Sequence, residues 1–494
     1  MKAGLVYFIL LFSSISLPAQ VQSLVRKGMN EAYNFQFESA EKTFNQILEI
    51  APNSPEGYYR IAQMHFWIFL GSRDEGEYKI FLKFADLAQQ KIDAVLDKNS
   101  KDLDTKYLAA NLASFRAMAQ AASNQSVDAF WFSKKAVSQF EEIIKANPKY
   151  YDAYLGLGLF DYAMSFVPDF LKWAVNLTGL SSDKERGFRY IKTALRKGNT
   201  VKTEAAFHLS KIYNDYLAEY DSGYVILKDL TAKYPRNGLF AYQSAISLIK
   251  AKKLDRALIV LDRVIQLNNK QVPQITALAY YRRGEIYFKK NQFNKAIRNY
   301  TKFLDLTKEL DLTGIAALNT ALAYNMLGDE AAYKKYLDMA GNGNLDLFED
   351  TYAMQKKEQY QNQAISNTEL KLIRMRNRIY TGFYKTVYDS LKIDIPKIDN
   401  RDTKALAQIY LAKAASNLRK HNEVIEICDQ LTEISLSSEK WIKPMANLLN
   451  AKAKFALGDK TSAKELLLDA EKENDFDFRD YIQSQIEWLK RRIR

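Results

Sequence analysis

The sequence predicts an all-α fold: a right-handed superhelical solenoid of helical hairpins with an inserted hairpin and a C-terminal capping helix. Three observations carry this. Ala257, Leu261 and Val264 are followed 39 residues later by Ala296, Tyr300 and Phe303, and the same offsets return at both ends of the chain. Apolar positions repeat with the period of a helix in every readable segment. With 9 Pro and 19 Gly in 494 residues and a hydrophobic fraction of 47%, the helices can run uninterrupted and still bury a long core. A solenoid is quasi-one-dimensional, so this length need not divide into globular domains.

The offsets have a mechanical reason. Where two antiparallel helices cross closely, a small residue on the first must meet a small residue on the second. A large apolar residue then follows, a packing residue after it, and often Pro, which ends the second helix. The series reads Gly28, Ala40, Phe44, Ile47, Pro52, and again Ala136, Phe140, Ile143, Pro148, with Tyr154, Leu157 and Gly158 opening the next unit. Gly223, Leu227, Leu230 and Pro235 continue it, and Gly223 to Ala257 is one 34-residue period. Gly284, Ala296, Tyr300 and Phe303 form the clearest unit, followed by Ala332, Tyr336 and Met339. After a weaker stretch come Ala412, Val424, Cys428 and Leu431, then Ala451, Ala463, Leu467 and Ala470. These spacings resemble the tetratricopeptide repeat, which implies stacked helical hairpins serving as a scaffold for protein contacts.

At the N-terminus, residues 1–19 read as an export signal: Lys2 supplies charge, Ala3 to Phe12 is an unbroken apolar run, and Ser13 to Ala19 is a small, Pro-containing exit. A membrane span needs roughly 20 apolar residues and this run is half that, so cleavage near Ala19 is expected and no span remains in the mature chain. The expected location is outside the cytoplasm, periplasmic or outer-membrane-associated in a Gram-negative bacterium. No Cys follows the run, which excludes a lipoprotein signal. The single cysteine, Cys428, occupies the large buried position of a second helix and reads as a core thiol.

Residues 20–344 form the solenoid proper. The run His65 to Leu70 is too short to span a bilayer and reads as a buried helix end. Irregular, longer helices are expected across 75–146. An insertion at 166–180 separates the two helices of one repeat. Around it, Tyr154, Gly156, Gly158, the Pro168-containing insertion, Gly179 and the helix start from Asp183 to Gly187 resemble the tetratricopeptide-repeat-thirty-nine-like branch and its bacterial relatives across 151–235. That resemblance implies an all-helical scaffold and carries no catalytic residues. Residues 345–400 read as an irregular helical connector containing Lys371, Arg374, Arg376 and Arg378, closed by Ile395-Pro396-Lys397. Residues 401–494 return to repeats and end in a capping helix with Ile482, Ile486, Leu489 and Ile493 on one face.

Chemistry is sparse. The three histidines, His65, His208 and His421, share no ligand spacing, and HExxH, GxSxG, Walker and paired CxxC motifs are absent, so neither an enzyme nor a cofactor or metal site is expected. The net charge is +13, with both signs interleaved along every helix. That pattern speaks against nucleic acid and leaves peripheral contact with anionic headgroups open.

In such repeats the first helix of each hairpin builds the inner wall, from residues three before and one, four and five after its small residue. The rule selects Asp215 and Tyr216, Tyr242, Ile246 and Lys250, Tyr281, Glu285, Phe288 and Lys289, and Tyr324 with Asn325. Aromatic rings in a spread groove suit a protein or peptide partner. A glycan or small ligand, gripped at one compact spot, is the alternative. The rings can equally pack between repeats. The positions that would need Lys and Asn to clamp a terminal carboxylate hold Tyr242 with Ile246 and Tyr281 with Glu285, which excludes that use.

Overall fold

The computed structural model describes residues 17–123, 125–164, 183–474 and 477–493; the insertion at 166–180, and all but the last three residues of the expected signal, lie outside them. Among the described residues there are 24 α-helices and no strand, so the chain is an all-α stack of helical hairpins. It divides into two compact units, one to Ala205 together with Tyr234–Asn237, the other Ala206–Lys233 with Gly238–Arg494.

The first unit contains α1 (Leu17–Tyr33), α2 (Phe37–Ile50), α3 (Pro55–Ser72), α4 (Glu75–Leu96), α5 (Leu103–Ala122), α6 (Ser126–Ala146), α7 (Ala153–Met164) and α8 (Lys184–Lys197), paired as successive hairpins. Helix starts are fixed by side chains that satisfy otherwise orphaned backbone N–H groups. Ser54 accepts from the Glu56 N–H at 3.3 Å ahead of Pro55. Asp74 accepts from Gly76 and Glu77 at 2.8 and 3.2 Å. The core runs through Phe44, Phe81, Ile92, Phe140 and Ile143, all fully buried. Of the apolar run ending α3, His65, Phe66, Ile68 and Phe69 are buried, and Trp67 stacks on Tyr33 at 5.4 Å. The returning segment Tyr234–Asn237 closes the unit, with the Asn237 side-chain amide donating to Tyr33 O at 2.7 Å.

The glycines refine one expectation. In the α1–α2 hairpin, and again at Gly284, the atoms nearest the first-helix glycine belong to the aromatic ring four places beyond the small residue of the second helix. A Cβ on Gly28 would lie 2.3 Å from Phe44 Cε1, and one on Gly284 would lie 2.7 Å from Tyr300 Cδ1. The bare backbone leaves a shelf on which the ring lies. Backbone meets backbone in the α7–α8 hairpin, where a Cβ on Gly187 would lie 2.8 Å from Gly158 O.

The second unit begins within α9 (Lys202–Lys211), which runs into a π turn at Ile212–Tyr216, and continues as α10 (Tyr220–Lys233), α11 (Gly238–Lys250), α12 (Leu254–Leu267), α13 (Gln274–Lys289), α14 (Phe293–Leu306), α15 (Thr313–Leu327) and α16 (Glu330–Met339). Three further helices, α17 (Phe348–Asn362), α18 (Asn367–Tyr380) and α19 (Tyr384–Asp394), occupy the stretch where the repeat pattern weakens. Buried Asp350 ties α17 to the preceding hairpin by accepting from Ile315 N at 2.9 Å and Asn344 N at 3.0 Å. Regular hairpins resume with α20 (Arg401–Asn417), α21 (His421–Thr432), α22 (Ile442–Ala456) and α23 (Lys460–Lys472), and α24 (Arg479–Ile493) ends the chain. Cys428 is fully buried in this core, and burial, with Asp429 nearby, pushes its thiol up to about 12.

This unit closes on itself. From α18, the Asn377 amide donates to Phe288 O at 2.9 Å and to Asn291 Oδ1 at 2.8 Å, and Tyr380 Oη donates to Ile249 O at 2.9 Å. The capping helix α24 buries Ile482, Ile486 and Leu489 as expected, and it also returns to the start of the unit, where Gln485 donates to Tyr220 Oη at 3.0 Å.

Candidate functional site

The candidate wall residues separate into two groups. Tyr242, Tyr281 and Phe288 are only 4%, 4% and 2% exposed. Tyr281 packs against Tyr300 and Phe303 with ring centres 5.8 and 5.2 Å apart, and Phe288 against Phe293 at 5.6 Å. These three rings are buried core, with Tyr281 and Phe288 packed against the second helix of their own hairpin, and they are not open to a partner as the aromatic-groove expectation required. Each ring of this kind can bury roughly 150–250 Å², more than a solvated wall would hide. Ile246 is half-buried beside them, and Tyr324 stacks on Tyr336 of its own hairpin at 5.5 Å, with Asn325 half-buried.

The polar candidates remain at the wall, held in ion pairs. Asp215 and Tyr216 sit on the π turn, which the Leu217 N–H closes onto Ile212 O at 3.1 Å. Such turns insert one residue into a helix and swing side chains out of register. Tyr216 is exposed at 38%. Asp215 meets Lys250 at 2.7 Å and Lys211 at 3.2 Å. Burial opposes its charge, but the two ammonium groups outweigh burial and hold the carboxyl below its ordinary range. Glu285 likewise meets Arg282 at 2.8 Å and Lys289 at 2.5 Å. Burial would raise it, yet Lys289 and Arg282 bring it down to about 2. Lys289 lies 3.9 Å from the centre of the Tyr380 ring, so the wall from α13 meets α18 there.

Beyond Tyr380 the wall continues through residues the sequence reading did not select. Lys252 Nζ lies 6.0 Å from the Tyr380 ring centre and 5.4 Å from that of Tyr384. Lys413 on α20 stands 4.7 Å over Trp441, and Lys452 on α22 stands 5.6 Å over Trp488 while donating to Gln485 at 2.8 Å. Gln485 in turn reaches Tyr220, next to the π turn. The signal was available: Lys413 and Lys452 follow the small residues Ala412 and Ala451 by one place, the offset that selects Glu285 after Gly284. Lys413 and Lys452 are half-buried. Burial, then Arg376, Lys452 and Lys252, pull Lys413 down to about 7; burial and Lys252 bring Lys452 to about 8.

No catalytic constellation accompanies this wall among the described residues. His65 pairs with Glu77 in the first unit, whereas burial, and Lys211, depress His208 in the second to about 4. No group of three or more His, Cys, Asp or Glu could hold a metal ion among the described residues, and no described helix is long and apolar enough to cross a membrane.

A family model described as Iml2/Tetratricopeptide repeat protein 39 matches residues 90–364, just over half of the chain. No curated protein matches the sequence significantly. Among solved structures similar to it, yeast Tom70 is 12% identical with a TM-score of 0.29, covering 97% of each chain. The C-terminal part of a TPR repeat-containing protein from Cytophaga hutchinsonii is 16% identical with a TM-score of 0.29, covering 57% of this chain and 95% of that one. The apo form of the quorum sensor NprR from B. thuringiensis is 13% identical with a TM-score of 0.32, covering 84% of this chain and 99% of that one.

Proposed function

The chain belongs to the Iml2/tetratricopeptide repeat protein 39 family, and from that premise we propose that it is an exported, non-catalytic scaffold that holds a protein or peptide partner at the cell envelope. The observation that supports partner binding is the charged inner wall of the second unit. There Asp215, Lys250, Glu285 and Lys289 are fixed by ion pairs and backed by buried rings. Charged side chains already held in place bind with little further loss of conformational entropy. Export is supported by the short apolar run behind Lys2 and the small residues before Gln20.

Crosslinking in intact cells, followed by fractionation and N-terminal sequencing, tests both parts. The expected result is a mature chain beginning near Gln20, outside the cytoplasm, crosslinked to a protein partner. An intact Met1 on a cytosolic chain contradicts export, and a chain that captures no protein contradicts the scaffold.

A further inference from the structure

We propose that the inner face of the second unit binds an acidic, extended segment of its protein partner through Lys252, Arg376, Lys413 and Lys452. This rests on the scaffold reading and names the chemistry of what the scaffold holds.

The wall has two kinds of cation. Lys250, Arg282, Lys289 and Lys356 each have a carboxylate at 2.5–2.8 Å, supplied by Asp215, Glu285 and Glu439. Lys252, Arg376, Lys413 and Lys452 have none within ion-pair distance among the described residues. They nevertheless lie close enough to feel one another: the charges of Arg376, Lys452 and Lys252 all act on Lys413, and burial adds to their effect. Glu439 offsets part of the charge on Arg376, but Lys413 and Lys452 are half-buried beside these cations with no carboxylate in ion-pair reach among the described residues, which is costly, and a ligand that brings carboxylates removes that cost. Half-buried aromatic rings line the same place, with Trp488 beneath Lys452 and Tyr380 and Tyr384 beside Lys252, while Trp441 beneath Lys413 is buried core. The four cations come from the turn after α11 and from α18, α20 and α22. This spread over several elements matches a chain running across them, with acidic side chains for the cations and apolar ones for the rings. A nucleic-acid strand fits less well, because it carries a phosphate at every nucleotide, whereas a peptide can set its acidic side chains against the unpaired cations and neutral ones beside Asp215, Glu285 and Glu439.

The test uses the full chain and a fluorescein-labelled peptide of alternating Glu and Tyr, read by anisotropy at physiological salt. Binding is expected for this probe and not for its Lys–Tyr counterpart. Lys413→Gln with Lys452→Gln should weaken it about tenfold or more, and Lys413→Arg with Lys452→Arg, which keeps both charges, should restore it. The control pair Lys334→Gln with Lys385→Gln removes two exposed lysines that have partners on their own helices, and should leave binding unchanged. Equal weakening by the two Gln pairs, or displacement of the peptide by oligouridylate as readily as by unlabelled peptide, overturns the proposal. The crosslinking experiment separates the two levels. A native partner retained equally by wild type and the Lys413→Gln, Lys452→Gln chain removes this inference and leaves the scaffold standing, whereas no partner on wild type removes the scaffold.

Discussion

At the scale of single residues, glycine and lysine carry the argument. Gly284 gives the Tyr300 ring a place to lie, so a side chain there must push a fully buried ring out of its packing. Gly284→Leu is expected to destabilise the protein by about 1–3 kcal/mol through overpacking, seen as a lower melting temperature. Ala296→Gly, which empties space without blocking the ring, should leave the Tyr300 packing in place. Lys413 makes a different prediction. Its folded-state value of about 7 lies below the ordinary 10.5 because burial and the Arg376, Lys452 and Lys252 charges disfavour the ammonium form. Between those values the unfolded chain binds more protons than the folded one, so this group's penalty is full below about pH 7 and fades as pH rises toward 10.5. Lys413→Met should therefore raise the melting temperature most near pH 7 and progressively less toward pH 10, a difference read directly from paired melts.

At the scale of elements, α18 is the piece on which the second unit's closure depends. Its start is fixed by the reciprocal pair Ser366 and Glu369, and its far end by Asn377, which is 1% exposed. Asn377→Ala removes the donor to Phe288 O and leaves that carbonyl without this partner, at a cost of about 1–3 kcal/mol. Urea unfolding should show the loss, and limited proteolysis should show faster cleavage around 362–384. The hairpins themselves were legible in the sequence because small and large residues recur at fixed offsets set by local helix geometry. The same offsets selected Asp215, Lys250, Glu285 and Lys289, which the structure holds in ion pairs. They also selected Tyr242, Tyr281 and Phe288, which are buried, since an offset fixes the direction a residue faces on its own helix and not how closely neighbouring helices cover it. Closure by α18 was not legible at all. Asn377 and Tyr380 reach partners on helices far back in the chain, contacts that no periodicity encodes.

At the scale of the whole molecule, each compact unit closes by a contact between distant parts of the chain. Segment Tyr234–Asn237 returns to α1 in the first unit, and α24 returns to Tyr220 in the second. A unit closed in this way should unfold as a block, where an open repeat array can fray from its ends. Truncation before Arg479, which removes α24 and the Gln485–Tyr220 contact, is expected to lower protection from hydrogen exchange in Tyr220–Lys233 as well as in the adjacent Lys460–Lys472. Loss confined to the adjacent helix would mean that the return contact contributes little.

Hydrogen exchange also tests the central claim that this chain is a scaffold whose partner lies against the inner face of the second unit. With the crosslink-identified partner added, the account predicts increased protection in the wall helices Arg401–Asn417 and Ile442–Ala456, with little change in His421–Thr432 and Lys460–Lys472 behind them. Protection confined to those rear helices, or to the first unit, would contradict it.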